Sequence, residues 1–215
     1  MRLALLSAIL VFIVAGCGDG DTDTTEPSQF PTGSVRSWLD ALEIDDTVGA
    51  LQLTHQESML LILAAENDMR VAEIAPLLRR GATEDSAASY LHQFTEGLRG
   101  RYGESLADVT VDGFTQLDEI YAAVTVTGAG AATVITRRAP GGLWQVDLVA
   151  TLGPALITQI RDLLEEAGEG EDGDTMRTVY QSGVVPALEA AAINDPEDLG
   201  LASQIRAIKG LLGDS

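Results

Sequence analysis

The chain has little of what most active sites and nucleic-acid interfaces are built from: one Cys, two His, four Tyr, four Phe and two Trp in 215 residues. A lone cysteine excludes an intramolecular disulfide, and two histidines leave little for a metal cage. Basic side chains are scarce as well, 13 Lys and Arg against 33 Asp and Glu, for a net charge of -20. Phosphate backbones are neutralised by clustered Lys and Arg, so direct nucleic-acid binding and a polybasic membrane patch are both disfavoured. The few aromatics give no base-stacking platform. No Ser-His-Asp order, no glycine loop followed by Lys and no paired metal motif occurs, so neither metal nor cofactor is expected. What remains is a chain 46% hydrophobic, enough for a sizeable core in one domain with additions.

The N-terminus carries an address. Arg2 precedes an apolar run from Leu3 to Ala15 that ends in small residues. Such a run is shorter than the about 20 residues that cross a hydrocarbon layer, and 1–16 therefore reads as a signal peptide that is removed. Val14-Ala15-Gly16-Cys17 resembles the lipobox of bacterial lipoproteins. That resemblance implies cleavage between Gly16 and Cys17 and a diacylglyceryl group on Cys17. The chain would then be anchored in the membrane on the extracytoplasmic side of a bacterial cell envelope. Gly18, rather than Asp, follows Cys17, which in a two-membrane cell is compatible with the outer membrane. Two or more acyl chains hold stably where one does not. Residues 17–33, rich in Gly, Pro, Thr and acids, read as a disordered tether. Asp19, Asp21 and Asp23 alternate as at the start of a calcium loop, but Thr24 stands where that loop needs Gly and Phe30 where it needs a bidentate Glu.

From Ser34, a plausible N-cap, the period turns helical, with Val35, Trp38, Leu39 and Leu42 on one stripe. A second helix is expected from about Asp46 to Glu66, a third from Met69 to Arg80 with Gly81 as its stop, and a fourth from Glu84 to about Arg101, capped by Thr83. After Gly103 the period falls to two. Strands are expected over Ala107–Asp112, Glu119–Thr127, Ala131–Ala139 and Leu143–Ala150, with Gly128-Ala129-Gly130 and Pro140-Gly141-Gly142 as hairpin signals. Gly153-Pro154 opens another helix to about Ala167. Residues 168–174, glycine-rich and acidic, read as a linker, and 175–215 as a helical hairpin kinked at Pro186. The expected fold is α+β: N-terminal helices packed on a curved antiparallel meander of three to four strands over 34–167, followed by that hairpin.

This order of elements, with a last strand reading Leu143-Trp144-Gln145-Val146-Asp147-Leu148 after Pro-Gly-Gly, resembles the nuclear transport factor two-like (cystatin-like) superfamily over about residues 46–150. The resemblance implies a curved sheet wrapped round a helix into a cone, and a place among small lipoproteins of that superfamily. Its enzymes use an Asp or His in the cone as general base beside a Tyr or acid. The first functional expectation is a non-catalytic binding or envelope-accessory lipoprotein, taking a small apolar ligand or an envelope protein, with no catalytic residue. Tyr121, Gln145 and Asp147 are its ligand-binding candidates: Gln145 and Asp147 lie on the strand face opposite Trp144, and Tyr121 on its own strand points away from Ile120, Ala122 and Val124. The alternatives are a cone-fold isomerase or dehydratase with Asp147 as base and Tyr121 or His92 beside it, and a structural protein docking through the C-terminal hairpin. The bland expectation for Asp147 and Tyr121 is solvent-facing alternation. For His55 it is a core position in the second helix, satisfied by a neighbour, and for His92 a surface pair with Glu96.

Overall fold

The computed structural model describes residues 29–81, 84–102 and 105–213. The segment expected to be a signal peptide, with Gly16, Cys17, Gly18 and most of the expected tether, lies outside these residues, as does Thr83.

Helix α1, Pro31–Glu43, begins with proline in its first turn, where the missing N–H costs nothing. Ser34 is therefore not its cap. It is buried one turn in, and its hydroxyl donates to the Trp144 carbonyl at 2.8 Å. The expected stripe of Val35, Trp38, Leu39 and Leu42 is fully buried. The expected helix 46–66 is two: α2, Thr47–Gln52, capped by Asp46, and α3, Gln56–Glu66. Between them Thr54 forms a parallel bridge to Val146. Two backbone bonds hold it, Val146 N–H to Leu53 O at 2.8 Å and His55 N–H to Val146 O at 2.9 Å. The Thr54 hydroxyl accepts from Trp38 Nε1 at 3.0 Å and donates to Ala50 O at 2.8 Å. A sheet edge and a buried indole N–H thus outcompete helical continuation here. Helix α4, Val71–Arg80, stops at Gly81, whose φ of 83° suits glycine. Helix α5 runs Glu84–Tyr102.

Four strands follow, β1 (Thr110–Gln116), β2 (Tyr121–Thr127), β3 (Ala131–Arg138) and β4 (Trp144–Val146), in an antiparallel meander ordered β1-β2-β3-β4. The fold is α+β, helices first, then the sheet, then helices. The first strand lies later than expected: Leu106–Asp108 is a 3-10 turn, and Asp112-Gly113 marks a register shift within β1 rather than its end. The last strand stops four residues early, because Asp147, whose N–H still donates to the Ile135 carbonyl at 2.9 Å, caps helix α6, Leu148–Leu152, its side chain accepting from Ala150 N–H at 3.0 Å. The intervening turn is as expected, with Gly141 and Gly142 at positive φ.

Helix α7 is Ile157–Glu166. The expected acidic linker is largely helix: α8, Glu171–Val179, starts inside it, with Glu171, Asp172 and Asp174 at the positive end of the helix dipole. Arg79 at the end of α4 meets Asp172 at 2.7 Å. The helix then widens into a π turn at Tyr180–Val184 before α9, Val185–Asn194, and α10, Leu199–Leu212, closes the fold. Pro186 is the cause to hand. It has no N–H for the Ser182 carbonyl four residues back, and that carbonyl instead accepts from Arg137 Nη2 at 3.3 Å. Trp38 and Leu39 of α1 share a small cavity with Val126 and Val134 on one sheet face, and α9 packs at the start of β2. Among the described residues no helix is long and apolar enough to cross a membrane.

Candidate functional site

Two tight turns set the register that assembles the site. Tyr121 on β2 lies opposite Arg137 on β3, and Arg137 lies opposite Gln145 on β4. Alternation puts these three side chains on one face, and Asp147, two residues beyond Gln145, follows them. His55 enters from the extended link between α2 and α3, where its backbone runs beside Val146.

At Tyr121 and Asp147 this face is not solvated. Asp147 and Tyr121 are each 1% exposed, which corrects the expectation of solvent-facing alternation: helices cover this side as well. Asp147 splits its carboxylate. Oδ1 caps α6 through Ala150 N–H, whereas Oδ2 has no hydrogen-bond partner and stands 4.0 Å from His55 Nδ1, itself unpartnered. The Tyr121 hydroxyl is also buried without a partner. Such orphaned groups are rare in a folded interior, and three in one cluster mark it out. Ser58 steadies the surroundings, donating to the His55 carbonyl at 2.8 Å and accepting from Leu148 N–H at 3.1 Å.

Burial sets the protonation states. It pushes the Asp147 carboxyl up to about 6 against smaller opposing pulls from the Ala150 N–H and the Arg137 charge. It pushes the His55 imidazole down to about 4, helped by Arg137. Tyr121 is raised by burial first and by the Asp147 charge second. At neutral pH Asp147 is therefore ionised and His55 neutral, so their 4.0 Å contact is not an ion pair. Arg137 Nη1 lies 3.4 Å from His55 Nε2. A guanidinium can only donate, so Nε2 holds the lone pair and Nδ1 the hydrogen, which faces Asp147. The guanidinium carbon is also 5.9 Å from the centre of the Tyr121 ring.

His55 is thus at the N-cap position of α3, not inside a helix, and only one of its nitrogens is satisfied. His92 is elsewhere. Its side chain is 67% exposed on α5, 3.9 Å from Asp45, while its expected partner Glu96 binds Arg99 at 2.9 Å. Gln145 sits at the edge of the cluster, its amide donating to the Gln52 carbonyl at 2.9 Å. Arg137 was not among the sequence candidates, although counting back from the Gly128–Gly130 turn pairs it with Tyr121.

Two openings adjoin the cluster. A cleft of about 770 Å³ is faced by His55, Arg137, Arg138, Gln145, Glu57 and Glu119. A groove of about 550 Å³ lies between Ile120-Tyr121 and the α9–α10 hairpin, walled by Pro186, Ala192, Ile193 and Ile205, with Arg206 and Lys209 beside it. Lys209 is taken by Glu189 at 2.5 Å, whereas Arg206 reaches only a carbonyl of its own helix. Among the described residues no cluster of three His, Cys, Asp or Glu is placed to hold a metal ion. No family model matches the chain, and neither a curated protein nor a solved structure matches it.

Proposed function

We propose that the chain is a lipid-anchored, extracytoplasmic binding protein of the bacterial cell envelope, without catalytic activity, that takes a small apolar ligand into the groove between β2 and the α9–α10 hairpin. The groove carries the reading. Its volume, about 550 Å³, falls in the range of small-molecule sites, and its walls are mostly apolar. Ile120 and Ile193 stand exposed at it in a chain whose surface is otherwise strongly acidic. Tyr121, a ligand candidate from the sequence, lines it. The lipobox-like Val14–Cys17 supports the location.

Both halves are testable on the full chain. Displacement of the fluorescent fatty acid cis-parinaric acid should show saturable binding that Ile193→Asp weakens about tenfold or more, a loss of roughly 1.4 kcal/mol. Equal binding by the variant removes the groove from consideration. Cys17→Ser should abolish fatty-acid labelling and release the protein from the membrane fraction; labelling that persists overturns the anchor.

The second reading is an acid/base enzyme with Asp147 as base, favoured by the orphaned polar atoms of Asp147, His55 and Tyr121. With Asp147 sealed from the cleft and His55 lining it, the imidazole would relay the substrate's proton to Asp147 as base. That reading requires deuterium from solvent to enter simple enone or keto-acid probes faster with the wild-type protein than with His55→Gln. Identical exchange rates end it.

A further inference from the structure

The wide cleft is distinct from the apolar groove, and its cation is held in an unusual way. Arg137 makes its hydrogen bonds to neutral acceptors, His55 Nε2 at 3.4 Å and the Ser182 carbonyl at 3.3 Å. The second of these exists because Pro186 leaves that carbonyl without its helical donor. The first depends on where one hydrogen sits.

A neutral imidazole has one N–H and one lone pair. While Asp147 is ionised, the ring suits both neighbours, the carboxylate through a charge–dipole attraction beyond hydrogen-bond distance and the guanidinium through a hydrogen bond. Nδ1–H faces Oδ2 at 4.0 Å, and the Nε2 lone pair accepts from Arg137. Once Oδ2 carries a proton, both neighbours are donors and the ring can accept from only one of them. Asp147 is sealed from water, whereas Arg137 stands in an open cleft where water or an anion can accept from it. A buried donor left unmet is the costlier outcome, so the contact to Arg137 is the one that yields.

The charges around the cleft point the same way. Arg137 and Arg138 come from β3, Glu57 from α3 and Glu119 from the turn before β2. Two cations balance two carboxylates, leaving buried Asp147 as the surplus negative charge. Asp118, in the same turn, has its Oδ1 committed to the N–H groups of Ile120 and Tyr121, both at 2.7 Å. Tyr121 itself, under the guanidinium, is held neutral by burial. Protonating Asp147 therefore removes the surplus and frees the arginine together.

We propose that this cleft is a proton-coupled binding site for a small oxyanion, the carboxylate, sulfate or phosphate group of a ligand, with Arg137 as its anchor and the His55–Asp147 pair as the latch that holds Arg137 back. Anion binding and proton uptake by the pair then favour each other.

Inorganic sulfate is the suitable probe, because its charge is constant between pH 5 and pH 8. Calorimetric titration of the full chain in non-ionic detergent should give affinity at least about tenfold higher at pH 5, where Asp147 carries the linked proton, than at pH 8, where it does not. Asp147→Asn keeps an N-capping side chain but cannot titrate, and its affinity should be the same at both pH values. Arg137→Gln should bind weakly at both. Equal wild-type affinity at the two pH values overturns the proposal, as does an undiminished pH step in Asp147→Asn or wild-type affinity in Arg137→Gln. Should Asp147→Asn fail to fold, titration of the wild-type protein at pH 6 in two buffers of different ionisation enthalpy decides. Because Asp147 is about half protonated at pH 6 before sulfate arrives, uptake of about half a proton per sulfate supports the latch, and no uptake overturns it.

Discussion

Asp147 has one oxygen committed to the α6 backbone and another facing an imidazole N–H across 4.0 Å, and the cost of that arrangement depends on pH. Burial raises its carboxyl from 3.8 to about 6. The folded chain therefore binds this proton more tightly than the unfolded chain does, and Asp147 subtracts stability as pH rises from about 4 to about 6. His55 runs the opposite way. Lowered from 6.5 to about 4, it resists protonation when folded, and it adds stability as pH rises from about 4 to about 6.5. Each shift corresponds to roughly 3 kcal/mol in full, so the two slopes largely cancel in the wild-type protein. Single substitutions should expose them. Urea unfolding at pH 4, 5, 6 and 7 should show Asp147→Asn gaining on the wild type by about 2 kcal/mol as pH rises, and His55→Gln losing ground by a similar amount. Parallel curves for the three proteins would mean that neither group is perturbed as burial requires.

At the scale of elements, what could be read in advance was whatever depended on local period and turn chemistry. The stripe of α1, the stop at Gly81 and the two glycine-marked hairpins are of this kind, and the hairpins alone pair Tyr121 with Arg137 and Arg137 with Gln145. Parity also placed Gln145 and Asp147 on one strand face, and the register brings Tyr121 to it. It could not say that the shared face is covered, because that depends on helices distant in sequence. Nor could it end β4: Leu148-Val149-Ala150 reads equally as strand or helix, and the Asp147 cap decides. The break at Thr54 rests on a sheet edge and on Trp38, both remote in sequence. The acidic stretch 168–174 reads as a connector by composition, yet one of its glycines, in the first turn of α8, serves a close approach. A Cβ on Gly173 would fall 1.8 Å from the Gly168 carbonyl oxygen, a clash that only backbone movement relieves. Gly173→Ala should therefore destabilise by about 2 to 4 kcal/mol. Gly97→Ala on α5, where nothing lies within 4 Å, should be neutral or stabilising by up to about 1 kcal/mol. Thermal melts that shift equally for both would refute the close approach.

For the whole molecule, the question is whether the C-terminal hairpin is an attachment or part of the core. Met176, Val179, Tyr180, Leu188, Ile205 and Ile208 belong to the same buried cluster as Trp38, Met59 and Val146. The hydroxyl of Tyr180 donates to the Ile160 carbonyl at 2.5 Å, and Arg79 joins α4 to the first turn of α8. Both openings need it too: one wall of the apolar groove is α9 and α10, and Ser182 of the π turn helps to hold Arg137 over the cleft. A small domain that gives up this share of its apolar burial has little left to offset chain entropy, since net stability is a few kcal/mol between much larger opposing quantities. The full chain should accordingly unfold in one cooperative step, with circular dichroism and tryptophan fluorescence reporting the same midpoint. A chain ending at Ala167 should show no cooperative transition and bind neither cis-parinaric acid nor sulfate. Two separate transitions in the full chain, or a cooperative melt of the shortened one, would make the hairpin an independent unit and would detach both sites from the single core on which they are built here.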